Sequence, residues 1–342
     1  MMQTHVLYTG GTLGMVSTPN GLAPGADLTG WLNQLLSGTE LAGTFETLSF
    51  EHLIDSANAT PDDWRRIVDD LWEHHDDADS FVVLHGTDTL AYTSAALSYA
   101  LTEFSKPVVV TGAQYSLGVV GTDAAPNVTG ALRAATSGRL NGVAVFFGHK
   151  LLRGNRVTKL SSWAYNGFDS PAVPQLARTG APWQWVENES TGCGWLNPGP
   201  YQRHDVLVVD LSPGISARRL RAVLDPLPEA VILRAFGVGN IPSDEPGVVD
   251  AILDVISAGT PVVVASQCMQ ADVQLGQYQS SHALTEGGAV SAHDMTLEAL
   301  YAKLIFLLSQ GLHGKELKRW IETDIAGAVS YTHLTLPTIL LV

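Results

Sequence analysis

Short unbroken apolar runs alternate along the chain with segments whose apolar residues recur at helical spacing. In the first half, four such runs are predicted to be strands: 6–8, 81–84, 108–111 and 143–147. Runs without polar alternation are typical of parallel strands that helices cover on both faces. The pattern therefore predicts an α/β fold with a mostly parallel sheet.

Helices are predicted between these strands, and the best marked one begins at Thr60. Thr60 suits the N-cap, Pro61 suits the first helical position, and acidic residues follow in the first turn. The spacing i, i+3, i+4, i+7, i+8 then gives one apolar face, formed by Trp64, Ile67, Val68, Leu71 and Trp72. Two further helices are predicted over 90–104 and 124–136.

The alternation stops near residue 183 and resumes after residue 204. The second half is predicted to hold strands at 206–210, 231–233 and 261–265, with helices from 216, over 247–256 and over 297–308. We therefore predict two doubly wound α/β domains. They are a larger N-terminal domain over 1–188 and a smaller C-terminal domain with a parallel sheet over 205–324, joined by a linker over 189–204.

The last segment, 325–342, is set apart as a tail because it contains no Asp, Glu, Lys or Arg. Its final apolar residues, 339–342, are far too few to span a bilayer, which takes about 20. The tail is either a late strand or non-native sequence, and no function is assigned to it.

Composition narrows the class of protein. Apolar residues make up 45% of the chain and charged residues 15%, as expected for a globular protein. The formal net charge of −15 argues against nucleic acid or an anionic membrane as a partner, because both attract basic faces. No signal peptide is visible, and Cys193 and Cys268 form no metal or redox spacing. The sequence predicts a reduced, cytoplasmic protein.

Two polar stretches carry the candidate chemistry, TGGTLGM over 9–15 and HGTDT over 85–89. Each follows a predicted strand, so both belong at the carboxyl edge of a parallel sheet, where such sheets bind ligands. The Thr12 hydroxyl is a candidate nucleophile, which needs a base and donors for an oxyanion. The alternative is a tight turn or a phosphate loop, although the motif matches neither nucleotide fingerprint.

The second stretch places Thr87 and Asp88 at a helix start. Asp88 has an alternative role as a helix N-cap, and His85 is expected to be a packing residue. A base is suggested by Lys159, in RGNRVTK over 153–159, since a buried lysine with a lowered pKa activates a hydroxyl. The alternative is a surface lysine. These groups favour hydroxyl-based acyl transfer over phosphate binding.

The ordered motifs resemble the bacterial type I, cytosolic L-asparaginase family over about residues 4–324. Besides the two stretches above, they are IDSANATPDDW at 54–64, VVVTGAQ at 108–114, RGNRVTK at 153–159, VILRAFGVGN at 231–240, SQCMQ at 266–270 and HDMTLEA at 293–299. The resemblance implies hydrolysis of L-asparagine to L-aspartate and ammonia, with no metal or organic cofactor. It also implies a homodimer or a homotetramer.

The resemblance assigns roles to matching positions. It makes Thr12 the nucleophile and Thr87, Asp88 and Lys159 a second set that helps to activate water or the nucleophile. It places Ser56 on the α-carboxylate of the substrate.

The same resemblance assigns the pocket and a regulatory site. It places Asp88 on the α-ammonium group and lines the pocket with backbone of Gly86, Thr87 and Ala113. In some type I members a second, regulatory asparagine site exists, and the matching residues are Thr158, Arg234 and Cys268. An Arg234–acid pair at a domain or subunit contact is the alternative for that arginine.

One position departs from the family pattern. Leu22 stands where the family usually has a tyrosine in the loop that closes over the substrate. We therefore expect a slower enzyme or one whose Thr12 is activated differently. Three other interpretations stay open: a broader glutaminase-asparaginase, a weakly active or non-catalytic asparagine-binding sensor, and an amidotransferase subunit, which the acidic charge disfavours.

Overall fold

The computed structural model describes residues 3–19, 21–186 and 192–330, and its larger sheet lies in the first half of the chain. Strands there are β1 (Thr4–Tyr8), β2 (Met15–Thr18), β3 (Gly21–Pro24), β4 (Phe45–Ser49), β5 (Ser80–Leu84), β6 (Val108–Thr111), β7 (Val143–Phe147), β8 (Lys150–Arg153), β9 (Thr158–Lys159), β10 (Phe168–Asp169), β11 (Ala177–Arg178) and β12 (Gln184–Trp185). The helices are α1 (Leu28–Leu36), α2 (Pro61–Glu73), α3 (Leu90–Ala100) and α4 (Ala124–Ala135).

The larger sheet has the strand order β12-β11-β8-β7-β6-β5-β1-β4. Strands β4, β1, β5, β6 and β7 are parallel, whereas β8, β11 and β12 are added antiparallel at one edge. Strands β1, β5 and β7 are buried throughout, because helices pack on both faces of this part of the sheet. The predicted, mostly parallel sheet is confirmed, with an antiparallel edge that the sequence pattern did not indicate.

The second half forms a smaller sheet in the order β13-β14-β15-β16, with parallel pairing throughout. Its elements are β13 (Val206–Asp210), α5 (Ala217–Val223), β14 (Ala230–Ala235), α6 (Val248–Ser257), β15 (Val262–Ser266), α7 (Gln279–Gly287), β16 (Val290–Ser291), α8 (Leu297–Ser309) and α9 (Gly314–Glu322). This confirms the predicted two-domain α/β class. Among the described residues, no helix combines the length and apolar character needed to cross a bilayer.

Helix α2 begins as its sequence predicts. Thr60 and Asp63 form a reciprocal capping box, and Pro61 stands in the first turn. Trp64, Ile67 and Leu71 of the predicted face are buried. Trp72, predicted on the same face, is 41% exposed, because its ring stacks at the protein surface over His75.

Helices α3 and α8 pack against each other and join the two halves. The Tyr99 hydroxyl donates to the carbonyl of Ala299 across this contact, at 3.1 Å. Three residues of the segment set apart as a tail, Ile325, Ala328 and Val329, belong to the same buried cluster. Residues 331–342, including the apolar end considered as a late strand, lie outside the described residues.

Candidate active site

The turn after β1 is built by glycine backbone. Gly10 and Gly11 have φ of 139° and 98°, in the region that favours glycine. A Cβ on Gly11 would lie 2.4 Å from Cα of Gly86, so the turns after β1 and β5 touch through backbone. Thr12 follows at once, half-buried, at the start of a short 3₁₀ turn over Thr12–Gly14. The geometry brings the two polar stretches together, as their position at the sheet edge predicts.

The side chain of Tyr8 contacts this turn at Gly11 and Gly14. Its phenol donates to the carbonyl of Gly11 at 3.2 Å, and a Cβ on Gly14 would lie 2.3 Å from its oxygen. Burial raises the pKa of Tyr8 above 10.0, so the phenol stays protonated at neutral pH. Tyr8 thus fixes the backbone on both sides of Thr12.

The second threonine forms a hydrogen-bonded set with a lysine and an aspartate. Nζ of Lys159 donates to Oγ1 of Thr87 at 2.9 Å and to Oδ1 of Asp88 at 2.8 Å. Thr87 is buried, the Lys159 side chain is 19% exposed, and the Asp88 side chain is 63% exposed. The hydroxyl and amine are thus held at the protein interior, with a carboxylate open to incoming molecules.

Asp88 is not the N-cap of α3. The N-cap is Thr89, whose hydroxyl donates to the carbonyl of Ser56 at 2.7 Å and makes no capping hydrogen bond. The carboxylate of Asp88 therefore pairs with Lys159 rather than with the helix backbone.

Ser56 lies against the same backbone from the β4 side. A Cβ on Gly86 would lie 2.4 Å from Oγ of Ser56. Asp55 holds the Ser56 turn, since its carboxylate accepts from the Ala57 amide at 3.2 Å and the Asn58 amide group at 2.8 Å. Ser56, Gly86 and the Gly11 turn form one continuous wall.

Ala113 lies in the loop after β6, where it is buried. The loop is held by Asp123, whose carboxylate accepts from the backbone amides of Gln114 and Tyr115. It is also tied to the Thr12 turn, because the Leu117 amide donates to the carbonyl of Leu13 at 3.2 Å. The loops after β1, β5 and β6 thus meet at one edge of the sheet.

His85 is buried and hydrogen-bonded at both ring nitrogens, as expected of a packing residue. Its Nδ1 lies 2.7 Å from the carbonyl of Gly86, and its Nε2 lies 3.1 Å from the Thr93 hydroxyl. A carbonyl only accepts, so Nδ1 carries the proton and Nε2 accepts from Thr93. Burial lowers the pKa of His85 below 6.5, so the ring stays neutral.

Two of the three residues matched to a regulatory site meet near Glu298. Thr158 donates its hydroxyl to Oε1 of Glu298 at 2.6 Å, and Arg234 lies near enough to influence that carboxyl electrostatically. Arg234 also pairs with Asp210 at 2.9 Å, and its Nε is buried without a hydrogen-bond partner among the described residues. Cys268 is exposed after β15, the neighbour of the strand that carries Arg234.

The backbone of Leu22 pairs with Ser17 in the β2–β3 hairpin. Its side chain lies outside the described part of the structure, so the expectation attached to Leu22 stays a prediction.

Sequence reasoning missed the residues that hold the site, namely Tyr8, Thr93, Asp123 and Glu298. Each acts on a group far from it in sequence or through backbone. The spacing of residues in the sequence does not predict such contacts. Asp123 is the exception, because an aspartate directly before α4 is a typical N-cap residue.

The comparisons with known proteins agree with this geometry. The family model "Asparaginase, N-terminal" matches residues 3–191, and "Glutaminase/Asparaginase C-terminal domain" matches residues 205–321. L-asparaginase 1 of Escherichia coli is 36% identical over 95% of this chain and 97% of its own length.

Solved structures agree as well. L-asparaginase I from Vibrio cholerae is 34% identical, with a TM-score of 0.84 over 96% of this chain and 99% of its own. The thermostable L-asparaginase from Thermococcus kodakarensis is 31% identical, with a TM-score of 0.85 over 97% of this chain and 100% of its own.

The fold and the site therefore define an amidohydrolase built on two α/β domains. The chain belongs to the asparaginase family, since both family models match and together span most of its length.

Proposed function

We propose that this protein hydrolyses the side-chain amide of L-asparagine to L-aspartate and ammonia, through an ester on Thr12. The observation that carries the proposal is the hydrogen-bonded set of Thr87, Asp88 and Lys159, next to the backbone contact between Gly11 and Gly86. The proposal is supported by a second hydroxyl, bonded by Lys159, beside the turn that presents Thr12.

In the first step, Oγ1 of Thr12 attacks the amide carbon of asparagine. A C–O bond forms, the C–N bond breaks, and the threonine proton leaves with the amine as ammonia. Backbone amides of the glycine turns are suited to stabilise the oxyanion, because they are fixed before the reaction. The product is a β-aspartyl ester on Thr12.

In the second step, water attacks the ester carbon and releases aspartate. The water gives one proton back to Oγ1 of Thr12, and its oxygen remains in the product carboxylate. We assign activation of this water to Thr87, whose hydroxyl contacts the amine of Lys159.

The substrate is a zwitterion and needs partners of both signs. We assign its α-ammonium group to Asp88, which is 63% exposed, and its α-carboxylate to Ser56. The backbone of Gly86, Thr87 and Ala113 forms the wall between them.

Ammonia release from asparagine tests the proposal. We expect the parent to release ammonia, and Thr12→Ala and Thr87→Ala to lose at least about 100-fold in kcat. Folded, fully active Thr12→Ala protein would contradict the assignment. The same assay with glutamine separates a narrow asparaginase from a broader enzyme, and a parent that binds asparagine without releasing ammonia would be a sensor.

We also propose Thr158, Arg234 and Cys268 as a regulatory site for asparagine. Support comes from the guanidinium of Arg234, whose Nε is buried and has no hydrogen-bond partner among the described residues. We expect a sigmoidal dependence of rate on asparagine that Arg234→Ala abolishes. Arg221→Ala, which removes a surface pair with Asp254, is the matched control. A hyperbolic parent would contradict the proposal.

We further propose that the protein works in the cytoplasm as a homodimer or homotetramer, on the basis of the family resemblance. Light scattering during size exclusion measures the assembly, and a monomer at working concentration would contradict it.

A further inference from the structure

A cluster of two histidines and an aspartate lies away from the candidate active site. His5 is in β1, Asp70 is in α2, and His74 is the residue at which α2 ends. One ligand atom from each lies within 4.8 Å of the others. His5 precedes Thr9 by about 13 Å of extended strand. The cluster therefore lies toward the amino edge of the sheet, opposite the threonines.

Two of these ligand atoms are buried without a hydrogen bond. The side chains of His5 and Asp70 are 5% and 10% exposed. Neither Nε2 of His5 nor Oδ2 of Asp70 has a hydrogen-bond partner among the described residues. Buried polar atoms nearly always have a hydrogen-bond partner, so these two atoms suggest a ligand that contacts both.

One of the ligand-atom distances matches a tetrahedral metal centre, and a second is about half an ångström longer. Zinc bonds to nitrogen and oxygen measure about 2.0–2.1 Å, which puts neighbouring ligand atoms about 3.4 Å apart. Nε2 of His5 lies 3.4 Å from Oδ2 of Asp70, and Nδ1 of His74 lies 3.9 Å from the same oxygen. His74 is 25% exposed at a helix end, so it has room to approach by the remaining half ångström or so.

The two histidine rings are stacked, so the His74 ring must turn before both can bind one ion, because a metal lies in the plane of the imidazole that binds it. The rings of His5 and His74 stack with centroids 4.4 Å apart and an interplanar angle of 19°. Nδ1 of His74 also lies 3.0 Å from the carbonyl of Asp70. A carbonyl only accepts, so Nδ1 of His74 carries the proton and donates to it. A cation binds Nδ1 only after that proton has moved to Nε2 and the ring has turned away from the carbonyl.

We propose that His5, Asp70 and His74 bind a divalent first-row transition metal, for which Zn²⁺ is the best-matched ion. Two neutral imidazoles and a carboxylate are a common zinc ligand set, and water completes the tetrahedron on the exposed side of His74. The exposed carboxylates of Asp76 and Asp77 follow directly and favour the approach of cations. The ion ties the beginning of β1 to the end of α2. Sequence spacing gave no signal, because His5 and His74 are far apart along the chain.

Zinc binding to the full-length, chelator-treated protein tests the site. We expect calorimetry to show one equivalent of Zn²⁺ bound, and Co²⁺ to give the visible absorption of a tetrahedral centre. His74→Ala and Asp70→Asn should weaken Zn²⁺ binding at least about 100-fold. His282→Ala is the matched control, since it removes an exposed histidine beside Glu286 and should leave Zn²⁺ binding unchanged.

Measurements of Tm and of ammonia release test the metal site independently of the proposed function. Zn²⁺ should raise the Tm of the parent and of His282→Ala but not that of folded His74→Ala. Ammonia release from asparagine should be the same with and without Zn²⁺. Substoichiometric binding, or equal affinity in His74→Ala, would overturn the proposal and leave the cluster as a buried ion pair.

Discussion

At the scale of single residues, the candidate site depends on a lysine that bonds two side chains at once. Nζ of Lys159 bridges Thr87 and Asp88, and its stem is mostly buried. The amine is thereby fixed relative to a hydroxyl, which a flexible surface lysine does not achieve.

Lys159→Met keeps the length of the stem and removes the amine. We expect kcat for ammonia release to fall about 10²- to 10⁴-fold, the range that general acid–base groups contribute. Lys318→Met is the matched control, because the Lys318 amine donates to the carbonyl of Gly288 in the second domain, away from the threonines. Equal activity of the two variants would remove Lys159 from the chemistry.

Leu22→Tyr restores the phenol that the family usually has in its closing loop. If its absence limits the activation of Thr12, turnover should rise, by up to about 10²-fold. Steady-state kinetics of the variant and of Leu22→Phe separate the hydroxyl from the ring. If turnover of the tyrosine variant does not rise, Leu22 does not limit the activation of Thr12.

At the scale of elements, the two turns after β1 and β5 position Thr12 and Thr87. The turns after β1 and β5 approach so closely that only glycine fits at their contact. Strands β1 and β5 pair in parallel with Tyr8 opposite Leu84, so both turns begin at the same level.

Gly11→Ala should disrupt this contact. Its Cβ would lie 2.4 Å from Cα of Gly86, and φ of 98° already disfavours alanine. We expect loss of ammonia release and a lower free energy of unfolding in urea. Gly38→Ala is the control, since φ is 75° but nothing lies within 4 Å of its Cβ. A Gly11→Ala variant no worse than Gly38→Ala would contradict the close contact.

Most long elements could be predicted from the sequence, because buried strands and capped helices leave strong patterns. Strands of two residues, such as β9 and β11, bury too few side chains to produce a recognisable hydrophobic pattern in the sequence. Edge strand β4 is largely exposed, so it lacked an apolar run. For the site, motif and resemblance predicted the Thr87–Lys159 contact. They missed Glu298, whose partner Thr158 is far away in sequence, and Tyr8, whose bond to the nearby Gly11 carbonyl depends on the course of the backbone rather than on a spacing pattern.

At the scale of the whole molecule, the second domain helps to hold the segment that carries Lys159. Arg156 is buried and pairs with Asp294 at 2.5 Å, and Thr158 bonds Glu298 at the start of α8. Arg156 and Thr158 both shortly precede Lys159 in sequence, so the domain contact and the site share one short segment of the chain.

Glu298→Gln tests this contact through pH. Burial raises the pKa of Glu298 above 4.5, so the unfolded chain loses this proton at lower pH than the folded one. The free energy of unfolding of the parent therefore falls as the pH rises from the pKa of the unfolded chain to that of the folded chain. The fall is about 1.4 kcal/mol for each pH unit that separates these two pKa values. Glutamine does not titrate, so the variant should gain stability relative to the parent from acidic to neutral pH. A constant difference in urea unfolding would contradict the raised pKa.

The central claim is that Thr12 carries the acyl group, and trapping that ester tests it most directly. Lys159→Met is mixed with asparagine, quenched in acid and mapped by peptide mass spectrometry. We predict a β-aspartyl ester on the peptide that contains Thr12. An adduct on Thr87 instead, or normal turnover by Thr12→Ala, would contradict the account.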